Sequence, residues 1–156
     1  MTITTLCYIE QNERYLMLHR TKKKNDINEG KWIAIGGHCE NGESPEECAK
    51  REVREETGLK VGSLRFRGIV TFFSKPDYTE YMCIFTTKEF EGCLHDCNEG
   101  DLMWVEKDRI NSLNVWEGDR IFNRLIMKDD QPFFSLKLTY DKDKLTEAVL
   151  DDKDII

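Results

Sequence analysis

The chain contains no apolar run approaching the roughly 18 residues that a membrane-spanning helix needs. Its first residues also lack a basic stretch followed by an apolar one. Neither a membrane span nor a secretory leader is readable, so the expected location is the cytoplasm and no membrane partner is expected. Positive charge is in deficit: 23 lysines and arginines face 30 aspartates and glutamates, for a net charge of −7. That balance argues against a nucleic-acid duplex as partner. No repeat, low-complexity tract or linker is present. The six cysteines (Cys7, Cys39, Cys48, Cys83, Cys93 and Cys97) form no CxxC pair. Cys93 and Cys97 flank His95, but no second cluster supplies the remaining ligands of a zinc site. Reduced thiols are the expected state in a cytoplasmic protein.

What is present describes one soluble globular domain over residues 1–156. Hydrophobic residues make up 39% and charged residues 34% of the chain, ordinary proportions for a packed domain. "TTLCYIEQNERYLMLHR" predicts a hairpin with strands at Thr4–Ile9 and Tyr15–His19 around a polar turn. "TKKKNDINEGK" has no periodicity and reads as a basic loop. "WIAIGG" is a short apolar strand ended by glycines. "LRFRGIVTFF" and "EYMCIFTTKEF" are two long strands joined around Pro76 and Asp77, and "GDLMWVE" is another, followed by a short turn or helix at "KDRINSL". "GDRIFNRLIMKD" carries apolar residues at helical spacing. "PFFSLKLTY" closes with a strand, and the tail "DDKDII" reads as frayed. Strands and helices mix without βαβ alternation, which argues for an α/β (α+β) sandwich with a mixed sheet.

The stretch "GGHCENGESPEECAKREVREETGL" crowds glutamates at 40, 43, 46, 47, 52, 55 and 56. Ser44 is a good N-cap, Pro45 suits the first helical position and Glu47 completes a capping box. Gly58 marks the left-handed end, so a helix is predicted over Pro45–Thr57. At about 100° per residue, Glu52, Glu55 and Glu56 fall within an arc of ~100°. Arg51 stands four residues from both Glu47 and Glu55, placed to orient carboxylates without filling the cluster. A solvated acidic face is the bland alternative. The glycine-rich turn ahead of the helix and the oxygen-only ligands favour a hard cation, Mg²⁺ or Mn²⁺. Such a cation would let an acidic protein hold a polyanion.

Gly37, five residues, Glu43, seven residues, then "REVREETGL" from Arg51 to Leu59 fills every fixed position of G-x5-E-x7-R-E-U-x-E-E-x-G-U, where U is aliphatic. This resembles the Nudix box. "GKW", "CNEG" and "VWEGD" extend the resemblance to the MutT-type branch that cleaves oxidised purine nucleotides such as 8-oxo-dGTP. The resemblance implies the Nudix fold, a mixed sheet between helices. It implies that Glu52, Glu55, Glu56 and Glu99, with the Gly36 carbonyl, ligate Mg²⁺ or Mn²⁺. It implies a general base among Glu55, Glu56 and Glu99, with Gly37, Glu43, Arg51 and Gly58 shaping the box. The implied reaction releases nucleoside monophosphate and pyrophosphate from a small-molecule nucleotide. A nucleotide sugar, a dinucleoside polyphosphate or capped RNA is the alternative substrate class. A non-catalytic nucleotide-sensing module is a third reading, disfavoured by the intact glutamates.

Outside the box, Trp116 and Asp119 are the residues that the resemblance implies for stacking and edge-bonding the purine. The alternative is a tryptophan stapling the helix to the sheet, with Asp119 a plain first-turn acid. Arg20, Lys23 and their neighbours His19, Lys22 and Lys24 either steer the triphosphate or form a solvated loop. His38 replaces a lysine common in similar proteins, and Ile33 stands where some place a base-reading asparagine; Asn25 is a candidate substitute. Trp32 is expected to pack against the box helix and Trp104 to be core.

Overall fold

A computed structural model describes all 156 residues. Strand β1 (Thr2–Gln11) turns into β2 (Arg14–His19) through Asn12 and Glu13, both left-handed at φ 55° and 60°. Two consecutive positive φ values are what a tight two-residue hairpin needs. The predicted "WIAIGG" strand divides at Ala34 into β3 (Trp32–Ile33) and β4 (Ile35–His38). β3 pairs with β2, whereas β4 pairs with β1 from Thr4 to Cys7. Beyond Cys7, β1 exchanges β4 for β2 as its neighbour, and this split sets the glycines of β4 beside helix α1 (Pro45–Thr57).

β6 (Arg65–Ser74) and β7 (Tyr78–Thr87) form the long central hairpin. β5 (Lys60–Val61) and β8 (Phe90–Glu91), too short to be read from sequence, pair as a small separate sheet. β9 (Asp101–Glu106) lies along β2 and leads into a 3-10 helix at Lys107–Ser112 and then α2 (Asp119–Ile126). β10 (Phe134–Asp141), β11 (Lys144–Leu150) and β12 (Lys153–Asp154) complete the chain. The main sheet runs β12-β11-β10-β6-β7-β1-β2-β3, with β4 on β1 and β9 on β2. It is mixed, since β1 runs parallel to β7 and β10 parallel to β6.

The frayed tail is corrected here. Asp151 and Asp152 turn left-handed at φ 47° and 70°, and β12 pairs with β11. β11 itself was missed by the sequence reading, because Leu145 and Ala148 are its only well-buried residues.

Alternation along the central strands builds a core on each face. Tyr8, Tyr15 and Met17 face one way and pack with Phe122 and Ile126 of α2. Cys7, Ile9, Leu16 and Leu18 face the other way and pack with Ala49 and Val53 of α1. Each large side chain so buried contributes about 1.5–3 kcal/mol, and the mixed sheet is thereby sandwiched between the two helices.

The predicted caps of α1 are all present. Ser44 Oγ accepts from Glu47 N–H at 3.0 Å and Glu47 Oε1 accepts from Ser44 N–H at 2.9 Å. Gly58 ends the helix at φ 83°. α2 is closed differently. Arg67, at a bulge in β6, is buried and donates to the carbonyls of Ile126 and Lys128 at 3.0 and 2.7 Å. The Ile126 carbonyl is an end-of-helix acceptor with no intrahelical donor, and the Lys128 carbonyl, just past the helix, also accepts from Gln131 N–H.

Candidate active site

The split in the sheet determines how closely backbone and carboxylate meet. A Cβ on Gly37 would stand 2.5–2.7 Å from the Glu52 carboxylate, and one on Gly36 would stand 1.7 Å from Thr5 O. Only glycine fits at 36, against backbone, whereas a side chain at 37 would displace the Glu52 carboxylate.

From α1, Glu56 points inward. Its Oε2 is buried and no N–H or hydroxyl donates to it; Glu99, the side chain close enough to share a proton with Glu56, is itself a carboxylate. Burial first, then the charges of Glu99 and Glu52, push its carboxyl well above the usual carboxylate range. Glu52 is also raised by burial, although Arg51 Nη1 donates to it at 2.8 Å and opposes the shift. Glu55 is mostly exposed and accepts from Arg51 at 3.2 Å. Glu99, in the loop before β9, accepts from Arg20 Nη1 at 3.0 Å. So arranged, no three of these side chains stand close enough to form a metal-holding cluster: Glu52 is turned to Arg51 and Glu99 to Arg20. The fit to a cation rests instead on the orphaned Glu56 oxygen beside two further carboxylates. An all-oxygen donor set of that kind matches a hard divalent ion.

Arg51 organises the turn ahead of the helix. Its Nε and Nη2 donate to Glu43 at 2.7 and 3.0 Å, and Nη2 also donates to the His38 carbonyl at 3.0 Å. This corrects the expected pairing with Glu47, whose carboxylate is engaged in the capping box. The Arg51 hydrogen bond first, then the Glu40 backbone N–H, hold the Glu43 carboxyl down at about 2.

Arg20 is neither in a solvated loop nor free to steer a ligand. It is buried at 8% exposure and bonded to Asp26 at 2.7 and 2.9 Å as well as to Glu99. Lys22 donates to the Cys97 carbonyl at 3.0 Å. Lys23, Lys24 and His38 are exposed, and Asn25 sits in a left-handed turn at φ 61°. All six thiols are unpaired, with Cys97 buried and Cys93 exposed.

Trp116 is half-buried at the entry to α2. Its Nε1 donates to Asn28 Oδ1 at 2.7 Å, and Lys31 Nζ stands 4.9 Å over its ring. Tyr140 meets it edge-on at 5.5 Å. Asp119 N–H donates to Trp116 O at 3.0 Å, so the two residues share one turn. Asp119 is only partly covered by surface area, yet it is densely surrounded. Burial pushes its carboxyl up to about 7 against the pull of Lys31 and Arg120. Trp32 packs on the α2 side and stacks on His19 at 4.3 Å, not against the box helix as expected. Ile33 and Trp104 pack on the α1 side.

Sequence reasoning missed Asp26, Asn28, Lys31 and Tyr140. Asn28, Lys31 and Tyr140 act on partners far away in the chain, and Asp26 meets Arg20 across an aperiodic loop, so no local spacing signals these contacts.

Residues 2–126 match the NUDIX domain family. The chain belongs to the Nudix family. Its Nudix relatives include the uncharacterized Nudix hydrolase YvcI of Bacillus subtilis, 30% identical over 129 residues, spanning 80% of this chain and 78% of that one. The oxidized purine nucleoside triphosphate hydrolase of mouse is 29% identical over 126 residues, with 80% and 78% covered. The crystal structure of a mutator MutT protein from Bacillus halodurans superposes with a TM-score of 0.86 at 27% identity, covering 98% of this chain and 99% of that one. The Nudix fold of that neighbour thus includes a counterpart of nearly this whole chain, the strands after residue 126 among them.

Proposed function

We propose that this Nudix hydrolase is a divalent-cation-dependent pyrophosphohydrolase of purine nucleoside triphosphates, with oxidised purines such as 8-oxo-dGTP preferred. The observation that carries the reading is Glu56. A buried carboxyl oxygen without a protein donor, flanked by the acidic Glu99 and Glu52, is costly in its charged form unless a proton or a cation compensates it, and a cation would replace the proton. Glu52, Glu55, Glu56 and Glu99, with the Gly36 carbonyl, would hold Mg²⁺ or Mn²⁺. The bound ion supplies charge neutralisation on the polyphosphate and a more acidic water.

The chain's own residues do the rest. Arg51 fixes Glu43, Glu52 and the His38 carbonyl in one hydrogen-bonded frame, so the acidic face is preorganised. Arg20 pairs with Glu99 at 3.0 Å and cancels part of its charge. A general base among Glu55, Glu56 and Glu99 would take the proton from the attacking water. Lys23 and His38 are exposed and free to meet phosphate oxygens. Trp116 would stack on the base, a contact worth about 1–3 kcal/mol whatever the base. Asp119 would then select among bases by accepting from the purine edge. The name of the mouse relative supports a place in removing oxidised purine nucleotides.

A panel of nucleoside triphosphates, oxidised nucleotides and nucleotide sugars, assayed with Mg²⁺ for pyrophosphate against phosphate release, tests this. The expected result is fastest pyrophosphate release from 8-oxo-dGTP. Faster turnover of a nucleotide sugar, or phosphate release, would overturn it.

A further inference from the structure

The turn that carries Trp116 and Asp119 is pressed onto a strand outside residues 2–126. Gly118 N–H donates to the Tyr140 hydroxyl oxygen at 2.7 Å. A Cβ on Gly118 would stand 2.6 Å from Leu138 and 2.7 Å from that hydroxyl, so the turn approaches β10 as closely as a backbone without a side chain allows. The Tyr140 ring meets Trp116 edge-on at 5.5 Å and 80°, and on its other contact it leans on Phe72 at 5.1 Å. Tyr140 is fully buried and held by strand pairing with both β6 and β11, which makes it a rigid support. Gly118, at the entry to α2, has no capping side chain of its own. Asn111 and Leu113 tie Arg120 from the preceding loop and Asn28 holds the Trp116 indole, while the bond to the Gly118 N–H itself comes from Tyr140.

We propose that Tyr140 is a positioning residue of the base cleft: from β10 it fixes where the Trp116 ring and the Asp119 carboxyl stand, so purine selection depends on a strand beyond the segment that matches the family. This rests on the reading of Trp116 and Asp119 as the base-binding pair. Tyr140 touches the turn and not the nucleotide. Its loss should loosen recognition while leaving the distant carboxylate face intact. A site that needs a base held within about 0.5 Å loses selectivity when its support is left free.

The experiment compares Tyr140→Phe, Tyr140→Leu and Trp116→Ala with the wild-type chain. kcat and KM are measured for 8-oxo-dGTP and dGTP with saturating Mg²⁺. Tyr140→Leu removes both the ring contact and the acceptor. KM for both purines should rise about tenfold, kcat should stay within about twofold, and the preference for 8-oxo-dGTP over dGTP should shrink about fivefold. Tyr140→Phe keeps the ring and removes only the acceptor, so it should reduce the preference with a smaller rise in KM. It also decides the matter if the leucine variant does not fold. Falls in kcat with KM unchanged would mark Tyr140 as merely structural and overturn the inference. So would wild-type constants in both Tyr140 variants when Trp116→Ala raises KM. A Trp116→Ala enzyme with unchanged KM overturns the cleft reading and the inference with it.

Discussion

Replacing Asp119 by asparagine should stabilise the protein at neutral pH while damaging its selectivity. Burial lifts the Asp119 carboxyl from its ordinary 3.8 to about 7. The folded state therefore binds a proton that the unfolded chain has already released across that interval, and stability falls as pH rises through it. About three pH units at ~1.4 kcal/mol each bound the cost of the charged form at about 4 kcal/mol. The net shift already includes the attraction of Lys31 and Arg120, and the partial exposure of Asp119 screens it, so a gain of about 2–4 kcal/mol is expected near pH 8. With a urea m-value of about 1–3 kcal/mol/M, the midpoint should move up by roughly 1–2 M. The difference between variant and wild type isolates Asp119 from Glu52 and Glu56, which are raised in the same direction. It should be small near pH 4, grow to about pH 7 and then level. Parallel curves at every pH, or a less stable variant at about pH 8, would refute the reasoning. In the same variant kcat/KM should fall most for 8-oxo-dGTP if, as proposed, the residue that costs stability also reads the base.

Glu56→Gln should lower kcat by at least about a hundredfold with saturating Mg²⁺ while KM moves less, as for a group acting chiefly on the transition state; near wild-type turnover would sink its assignment. Adding Mg²⁺ should raise the Tm, as any ligand binding only the folded state does, and Glu52→Gln should weaken that rise; an unaltered Mg²⁺ response would remove Glu52 from the ligand set. Ser44→Ala should cost about 1 kcal/mol in chemical denaturation by breaking the capping box, with kcat/KM within about twofold of wild type. Because the Arg51 bond holds the Glu43 carboxyl at about 2, the stability from that pair is present above about pH 4.5 and lost on acidification toward pH 2. Glu43→Gln should therefore flatten the acid limb of a pH–Tm curve, and an unchanged limb would deny the pair its role.

The box helix was legible to the residue because everything that defines it is local. Ser44, Pro45, Glu47 and Gly58 settle both ends within one stretch of chain. The long strands were equally readable, since Tyr8 and Ile9, or Leu16 and Met17, declare two buried faces by alternation. Local spacing misled where two local partners competed. Arg51 lies four residues from Glu47, but the capping box claims that carboxylate, and Glu43 takes its place across the turn. Arg20 looked like part of a basic loop, and only the fold brings Glu99 beside it. β11 and β12 escaped notice because an edge hairpin with exposed charges carries little apolar pattern, and the Asp151–Asp152 turn lacks the usual glycine.

The two parallel pairings have a kinetic consequence. Thr2 lies beside Glu80 and Phe134 beside Gly68, so the centre of the sheet joins strands separated by long stretches of chain. Loop-closure entropy must be spent on both before either ladder is rewarded, which places such a topology among slow folders, in the millisecond-to-second range. The β6–β7 hairpin is local and can form early. It then waits with both edges open, for β1 on one side and β10 on the other. In that interval the unpaired edges of the hairpin are the surface most exposed to association with another chain.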